Sequence, residues 1–225
     1  VYTNSALKQG DQITCIVTTP ETCQTGSPAT SNTIIMVVNP ILPVSVSITA
    51  NPSGAICEGT QVTFTAYPVN GGSSPVYQWK LNSINVGSNA STYNNASLKQ
   101  GDVITCVLTS SETCQSGSPA TSNALTMQVN PILPASVTIS ASPAGTICSG
   151  TEVTFTATPV NGGTTPTYQW YKGATLISGA TGATLVTSDL AHGDIVTVRM
   201  TSSEPCPSGS PATSNPITMN VTDKL

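Results

Sequence analysis

The stretch ICEGTQVTFTAYPVNGGSSPVYQW (Ile56–Trp79) decides the fold, because it returns almost unchanged as ICSGTEVTFTATPVNGGTTPTYQW (Ile147–Trp170). Apolar and polar residues alternate from Val62 to Ala66, which places the apolar side chains on one face of a strand. A cluster of Asn, Gly, Ser and Pro separates this run from the next one. Short alternating runs divided by such clusters are typical of a β-sandwich.

A second block of sequence shows that the chain is a tandem array. SALKQGDQITCIVTTPETCQTGSPATSN (Ser5–Asn32) returns as SLKQGDVITCVLTSSETCQSGSPATSN (Ser97–Asn123) and, more loosely, as DLAHGDIVTVRMTSSEPCPSGSPATSN (Asp189–Asn215). The equivalent residues Cys57 and Cys148 lie 91 positions apart. A period of this length fits a whole sandwich domain of about 100 residues better than a solenoid repeat.

The repeats predict three domains. Val1 aligns with Thr92, so we expect residues 1–41 to be the C-terminal part of a truncated immunoglobulin-like repeat. Residues 42–132 and 133–225 are each expected to be a complete repeat. The connector NPILP, which recurs at Asn130–Pro134, contains two prolines that favour an extended, semi-rigid segment. We therefore expect the domains to be arranged as a rod.

Four large aromatic side chains are the predicted core residues: Phe64, Trp79, Phe155 and Trp170. A strand with Phe precedes a strand with Trp, an order that resembles the immunoglobulin-like fold, in which a Trp on the third strand packs between the sheets. Exposed Trp platforms for sugar stacking are the alternative, but each Trp is in phase with an inward-facing Tyr, which favours the core. The predicted fold class is all-β, with tandem immunoglobulin-like (PKD-like) β-sandwich domains.

Seven cysteines predict one disulfide in each complete repeat. The third repeat has only Cys148 and Cys206, so a bridge inside it must join these two. By register, Cys57 is expected to pair with Cys114 in the middle repeat. Disulfides of this kind indicate an oxidising, extracellular location.

The remaining cysteines, Cys15, Cys23 and Cys106, are predicted to be free thiols. Cys106 corresponds to Val198, which cannot form a disulfide, and Cys15 is its counterpart in the first copy. We expect Cys106 to be a buried, small apolar residue rather than a redox or catalytic thiol, because no cationic cluster lies nearby in sequence to lower its pKa. Cys23 corresponds to Cys114, and the truncated copy offers it no partner.

Composition argues against several classes of function. Six Lys and Arg and ten Asp and Glu give a formal net charge of −4, so we expect no nucleic acid partner. No apolar run is long enough for membrane insertion. The single histidine, His192, is replaced by Gln9 and Gln100 in the other copies, which favours a turn residue over a catalytic base. No metal-ligand spacing is present, so we predict no metal, no cofactor and no enzyme activity.

Two recurring polar motifs are predicted to be turns. Asp11, Asp102 and Asp194 follow Gly at equivalent positions, and an Asp there can bind its own backbone, which we favour over a calcium site. The Asn-Gly-Gly motif at Asn70–Gly72 and Asn161–Gly163 lies between strands, without a following helix. It therefore predicts a turn rather than a phosphate-binding loop.

The string ICxGTxVTFTAxPVNGGxxPxYQW, followed by GDxxTC and SGSPATSN, is similar to the PKD-like/immunoglobulin-like repeats of giant secreted proteins of Bacteroidota. The resemblance covers essentially the whole chain. It implies a non-catalytic stalk segment of a cell-surface adhesin, as in the SprB-type adhesins that type IX secretion exports for gliding motility. The expected partners are neighbouring repeats, surface glycans and cell-surface machinery, and the expected location is extracellular, at the cell surface.

Two alternative functions stay open at the level of sequence. Each repeat could bind a glycan or a protein through the variable stretch between the Trp and the Gly-Asp turn, which runs from Lys80 to Leu98 and from Tyr171 to Leu190. The array could instead be an accessory segment of a secreted hydrolase.

Overall fold

The computed structural model describes residues 1–23 and 25–223, and these contain strands but no helix. The prediction of an all-β fold is confirmed. The strands of the N-terminal part are β1 (Gln12–Ile13), β2 (Ile16–Val17), β3 (Ala29–Thr30), β4 (Ile34–Ile35) and β5 (Leu42–Pro43). The strands of the middle repeat and its outgoing connector are β6 (Ser45–Asn51), β7 (Ala55–Cys57), β8 (Val62–Val69), β9 (Val76–Leu81), β10 (Ile84–Val86), β11 (Thr92–Asn95), β12 (Val103–Thr109), β13 (Gln115–Ser116), β14 (Ala120–Thr121), β15 (Leu125–Thr126), β16 (Gln128–Asn130) and β17 (Leu133–Pro134). The strands of the third repeat are β18 (Ser136–Ser142), β19 (Thr146–Cys148), β20 (Val153–Val160), β21 (Thr167–Lys172), β22 (Thr175–Leu176), β23 (Thr184–Thr187), β24 (Ile195–Thr201), β25 (Pro207–Ser208), β26 (Ala212–Thr213), β27 (Ile217–Thr218) and β28 (Asn220–Thr222).

The third repeat is a sandwich of two sheets. One sheet has the order β18-β20-β23, and the other has the order β22-β21-β24-β26, with β27 also paired to β24. Alternate residues of β20 and β24 are buried, as expected for strands that turn one face to a core. The ring centroids of Phe155 on β20 and Trp170 on β21 lie 6.1 Å apart, so the apolar faces of the two sheets pack against each other.

The middle repeat has the same strand order, β6-β8-β11 in one sheet and β10-β9-β12-β14 with β15 in the other. Phe64 on β8 and Trp79 on β9 approach to 6.3 Å between ring centroids, and Tyr93 stacks on both rings. The Trp79 indole N–H donates to Ala90 O at 2.9 Å. The Trp170 indole makes the equivalent bond at the same distance, so neither buried N–H is left unpaired. All four predicted core aromatics are 0% exposed.

The chain forms two compact units. The first comprises Val1–Ala50, Thr63–Tyr93 and Val103–Leu125, and the second comprises Asn51–Val62, Asn94–Asp102 and Thr126–Leu225. The second unit therefore joins one end of the middle repeat to the whole third repeat. The domain boundaries at residues 41 and 132 stay a prediction.

The first copy consists of two short antiparallel pairs, β1-β4 and β2-β3. Among its described residues, 1–23 and 25–41, there is no counterpart of the strands that carry Phe64 and Trp79, and its apolar side chains lack the facing sheet that those strands form in the middle repeat. Ile16 is 64% exposed and Ile35 is 63% exposed. Cys15 is exposed for the same reason, although its equivalent Cys106 is buried.

Parallel strand pairs mark the ends of the repeats. β5 pairs with β13, and β17 pairs with β25, so each connector lies beside the strand that follows Cys114 or Cys206. β7 pairs with β16, and β19 pairs with β28, so each strand that carries Cys57 or Cys148 lies beside the last strand of its own repeat. These pairs position the site described next.

Candidate functional site: the disulfide junction

Cys57 of the middle repeat is bonded to Cys206 of the third repeat, with 5.6 Å between their Cα atoms. The two cysteines lie in the same compact unit and are 149 positions apart in sequence. The predicted pairings Cys57–Cys114 and Cys148–Cys206 are therefore wrong. The disulfide joins successive repeats instead of closing each repeat on itself.

The geometry of the third repeat explains why its own two cysteines do not pair. Cys148 ends β19 and lies opposite Thr222 on the last strand, where the chain leaves the repeat. The carbonyl of Cys206 accepts a hydrogen bond from Leu133 N at 3.0 Å, where the connector enters the repeat. Cys148 thus lies beside the strand that leaves the repeat, whereas Cys206 lies beside the connector that enters it and is bonded to Cys57.

Five cysteines are free thiols: Cys15, Cys23, Cys106, Cys114 and Cys148. The first three were predicted as free, whereas Cys114 and Cys148 were predicted to be bonded. Cys15, Cys23 and Cys148 are exposed, Cys114 is half-buried, and Cys106 is buried. Burial raises the pKa of the Cys106 thiol to about 11, which keeps it protonated and unreactive at neutral pH.

The connector NPILP holds both halves of the disulfide junction. Asn130 lies opposite Cys57 in the β7-β16 pair, and its carbonyl accepts from Glu58 N at 2.9 Å. Three residues further on, the connector is hydrogen-bonded to the third repeat: Leu133 N donates to Cys206 O, and Ala135 N donates to Ser208 O at 2.8 Å. Backbone hydrogen bonds thus place the two sulfur-bearing segments on either side of one short connector.

The Asn-Gly-Gly motif anchors the connector. Asn161 adopts a left-handed backbone, with φ of 51°, and its side-chain amide donates to Pro134 O at 2.7 Å. Asn tolerates this conformation better than most residues. The Ser202 hydroxyl donates to Asn161 O at 2.7 Å, which fixes the motif to the loop before Cys206. The recurring motif is therefore a turn that binds the connector, and nothing about it suggests a phosphate loop.

The same frame surrounds the connector that enters the middle repeat, in the first compact unit. Leu42 N donates to Cys114 O at 2.8 Å, and Val44 N donates to Ser116 O at 2.8 Å. Asn70, with φ of 54°, donates its amide to Pro43 O at 2.7 Å. The hydrogen-bond frame is thus a property of the repeat, and it forms at Cys114 without a disulfide.

An ion pair lies next to the disulfide. The Lys99 ammonium donates to Glu58 Oε1 at 2.6 Å, and both side chains are largely exposed. This hydrogen bond, with the attraction of the two charges, lowers the pKa of Glu58 and raises that of Lys99. Solvent screening makes such surface pairs weak, so the covalent bond and the backbone frame dominate the junction.

The other candidate residues have structural surroundings. Asp102 Oδ2 accepts from Lys99 N at 2.8 Å, and Asp194 Oδ2 accepts from Ala191 N at 2.9 Å, so the recurring Asp closes its own turn. His192 is exposed in the same turn. Among residues 1–23 and 25–223, no group of three or more His, Cys, Asp and Glu could hold a metal ion. No helix in this described part is long and apolar enough to cross a membrane.

One cavity of about 220 Å³ lies within the variable stretch of the third repeat. Its lining includes Leu176, Leu185 and Leu190, together with the charged residues Lys172 and Asp189. Drug-sized ligand pockets usually range from about 300 to 1,000 Å³, so this cavity is small for a ligand site.

No family model matches the sequence, and no curated protein matches it. Among solved structures, the chain is similar to three N-terminal domains of the Hoc outer capsid protein of bacteriophage RB49, with 17% identity and a TM-score of 0.36, covering 79% of this chain and 59% of the phage chain. It is similar to the ectodomain of mouse nectin-like molecule 4, with 14% identity and a TM-score of 0.34, covering 85% of this chain and 69% of that one. The fibronectin(III)-like modules of Clostridium thermocellum CbhA give 13% identity and a TM-score of 0.34, with coverage of 79% and 94%. At scores this low we base the fold on the sheets and cores described above.

Proposed function

We propose that this chain is a non-catalytic segment of the extended stalk of a secreted cell-surface adhesin, which serves attachment or gliding. One observation carries the proposal: the Cys57–Cys206 disulfide ties two successive repeats together. An oxidised protein is expected outside the cell, and a covalent tie between repeats is useful where a chain is pulled along its length. The resemblance to adhesin repeats of Bacteroidota supports the same role.

The disulfide changes how tension would travel along the chain. Force applied at the two termini enters through the first residues, crosses the sulfur–sulfur bond at Cys57 and leaves through the residues after Cys206. The intervening segment carries no extension, even if its hydrogen bonds break. At about 3.3–3.6 Å per extended residue, the 149 positions between the two cysteines correspond to about 500 Å of chain that cannot extend while the disulfide is intact.

Single-molecule stretching of the intact chain by its two ends tests this role. We expect the fully stretched oxidised chain to be about 500 Å shorter than the same chain in reductant. The Cys57→Ser variant should show the longer extension under both conditions, while Cys148→Ser, which removes a free exposed thiol, should behave like the parent. Equal extension of the parent with and without reductant would contradict the stalk proposal.

A glycan- or protein-binding module is the second candidate, favoured by the cavity beside Leu185 in the variable stretch. A glycan array probed with the intact chain separates the two functions. Binding that is lost when Leu185 is replaced by Trp, which fills the cavity, would favour the binding module over a pure stalk.

A further inference from the structure

We propose that Cys148 and Cys114 are two complementary half-sites, each of which forms an inter-repeat disulfide with another copy of this repeat joined end to end. Cys148 is the equivalent of Cys57, and Cys114 is the equivalent of Cys206, by their positions in the repeats. The bond between Cys57 and Cys206 therefore shows which pairs of positions can bond. This inference goes beyond the proposed stalk function, because it concerns the ends of the segment rather than its interior.

Each half-site already has the backbone frame of the closed junction. On the Cys114 side, Leu42 N donates to Cys114 O at 2.8 Å, as Leu133 N does to Cys206 O at 3.0 Å. On the Cys148 side, the residue lies opposite Thr222, and Ser149 N donates to Thr222 O at 2.8 Å. Glu58 N donates to Asn130 O at 2.9 Å in the same way beside Cys57. Cys114 and Cys148 thus have the same backbone hydrogen bonds as Cys206 and Cys57, which form the disulfide.

Accessibility and a buried acceptor agree with this assignment. Cys148 is exposed and Cys114 is half-buried, so neither residue is sealed from solvent as Cys106 is. Beside Cys114, the side-chain oxygen of Gln115 is buried and has no hydrogen-bond partner among the described residues. Buried polar atoms are rarely left unpaired in folded proteins.

The chemistry requires an oxidant, and a small-molecule disulfide such as oxidised glutathione supplies it. The thiolate of Cys148 attacks a sulfur of oxidised glutathione, which forms a mixed disulfide and releases one glutathione thiolate. The Cys114 thiolate of the second copy then attacks the Cys148 sulfur and releases the second glutathione. Two protein thiols are oxidised to one disulfide, and one oxidised glutathione is reduced to two thiols.

Disulfide loops of this kind would overlap along an array, because each loop is longer than one repeat. Each loop spans 149 positions, whereas the repeat is 91 positions long. Successive loops therefore overlap, because Cys148 lies inside the loop closed by Cys57 and Cys206. In an array bonded in this way, every interior residue lies within at least one closed loop.

The test mixes two variants of the intact chain, both carrying Cys15→Ser and Cys23→Ser. These changes remove the exposed thiol of Cys15 and that of Cys23, which is equivalent to Cys114 and would offer Cys148 a second partner. One variant also carries Cys114→Ser and offers only Cys148, and the other carries Cys148→Ser and offers only Cys114. In a glutathione redox buffer we expect the mixture to give a disulfide-linked heterodimer at least tenfold above either homodimer. A chain with both half-sites should form longer reducible multimers, while each variant alone stays monomeric.

Peptide mapping of the heterodimer identifies the bond, and circular dichroism checks that each variant is folded. A Cys148–Cys114 peptide as the main cross-link supports the proposal. A statistical mixture of homodimers and heterodimers, or monomers that carry only glutathione, would overturn it. Such a failure leaves the stretching experiment on Cys57–Cys206 unaffected, so the two proposals are tested separately.

Discussion

The two connectors of this chain differ in one covalent bond. The connector that enters the middle repeat and the connector that enters the third repeat make the same backbone hydrogen bonds, to Cys114 and Cys206 respectively. The same Asn amide anchors each connector, through Asn70 or Asn161. Only Cys206 is bonded, because Cys57 lies across the connector from it. The hydrogen-bond frame is therefore intrinsic to the repeat, and the disulfide locks a geometry that forms without it.

The largest expected effect comes from removing this difference with Cys57→Ser. The bond closes a loop of 149 positions, and chain entropy assigns such a loop about 5 kcal/mol of stabilisation. We expect the second compact unit to lose stability of this order, measured by urea unfolding with Trp170 fluorescence as a probe. Cys206→Ser should give the same loss, and the double variant should lose no more than either single variant. Additive losses would show that the serines act through their own contacts.

Intermediate effects are expected at the glycines that let each Asn-Gly-Gly turn pack. Gly163 has φ of 77°, and an added Cβ would clash with Ser203 Oγ and lie 2.8 Å from Glu204 N. Gly150 has a similar φ of 78° with nothing nearby, so Gly150→Ala carries only the backbone cost. We expect Gly163→Ala to cost about 3 kcal/mol and Gly150→Ala about 1 kcal/mol in thermal or urea unfolding.

The equivalent glycine at the other connector, Gly72, tests whether the turn stabilises a repeat whose connector carries no disulfide. Gly72 has φ of 80° and meets Ser111 and Glu112 as Gly163 meets Ser203 and Glu204. Gly72→Ala should therefore cost about as much as Gly163→Ala, although no disulfide lies at that connector. A much smaller cost at Gly72 would mean that the turn matters only where the junction is bonded.

Most of the fold could be predicted from the sequence, because periodicity and repetition report local structure. The alternation around Phe64 and Phe155 predicted strands with one buried face, and those strands form the sheets. The disulfide could not be predicted in the same way. Equivalence of Cys57 with Cys148 shows that both occupy one place in the repeat, but it does not show at which end of the sandwich that place lies. Strand pairing supplies this information, since β19 pairs with the last strand and β25 pairs with the connector.

The smallest expected effect at neutral pH comes from Cys106→Val, a change that gives the middle repeat the residue of the third. Cys106 and Val198 are both 0% exposed and lie at equivalent positions opposite Trp79 and Trp170. Because the two side chains are similar in size and apolar character, we expect the free energy of unfolding at pH 7 to change by less than about 1 kcal/mol.

At alkaline pH, the free energy of unfolding of Cys106→Val should exceed that of the parent protein. Burial raises the pKa of Cys106 from 9.0 to about 11, so the folded state disfavours the thiolate. Below pH 9 the thiol is protonated in both states and its contribution to stability is fully present. Between pH 9 and 11 the unfolded chain ionises first, and the parent should lose about 1.4 kcal/mol per pH unit relative to the valine variant. Urea unfolding of both proteins at pH 8, 10 and 11 measures this difference, in which the other titrating groups cancel. If the free energies of unfolding of parent and variant changed equally with pH, the Cys106 thiol would be accessible to solvent. The core of the middle repeat would then be less closed than the core of the third repeat, which has Val198 at this position.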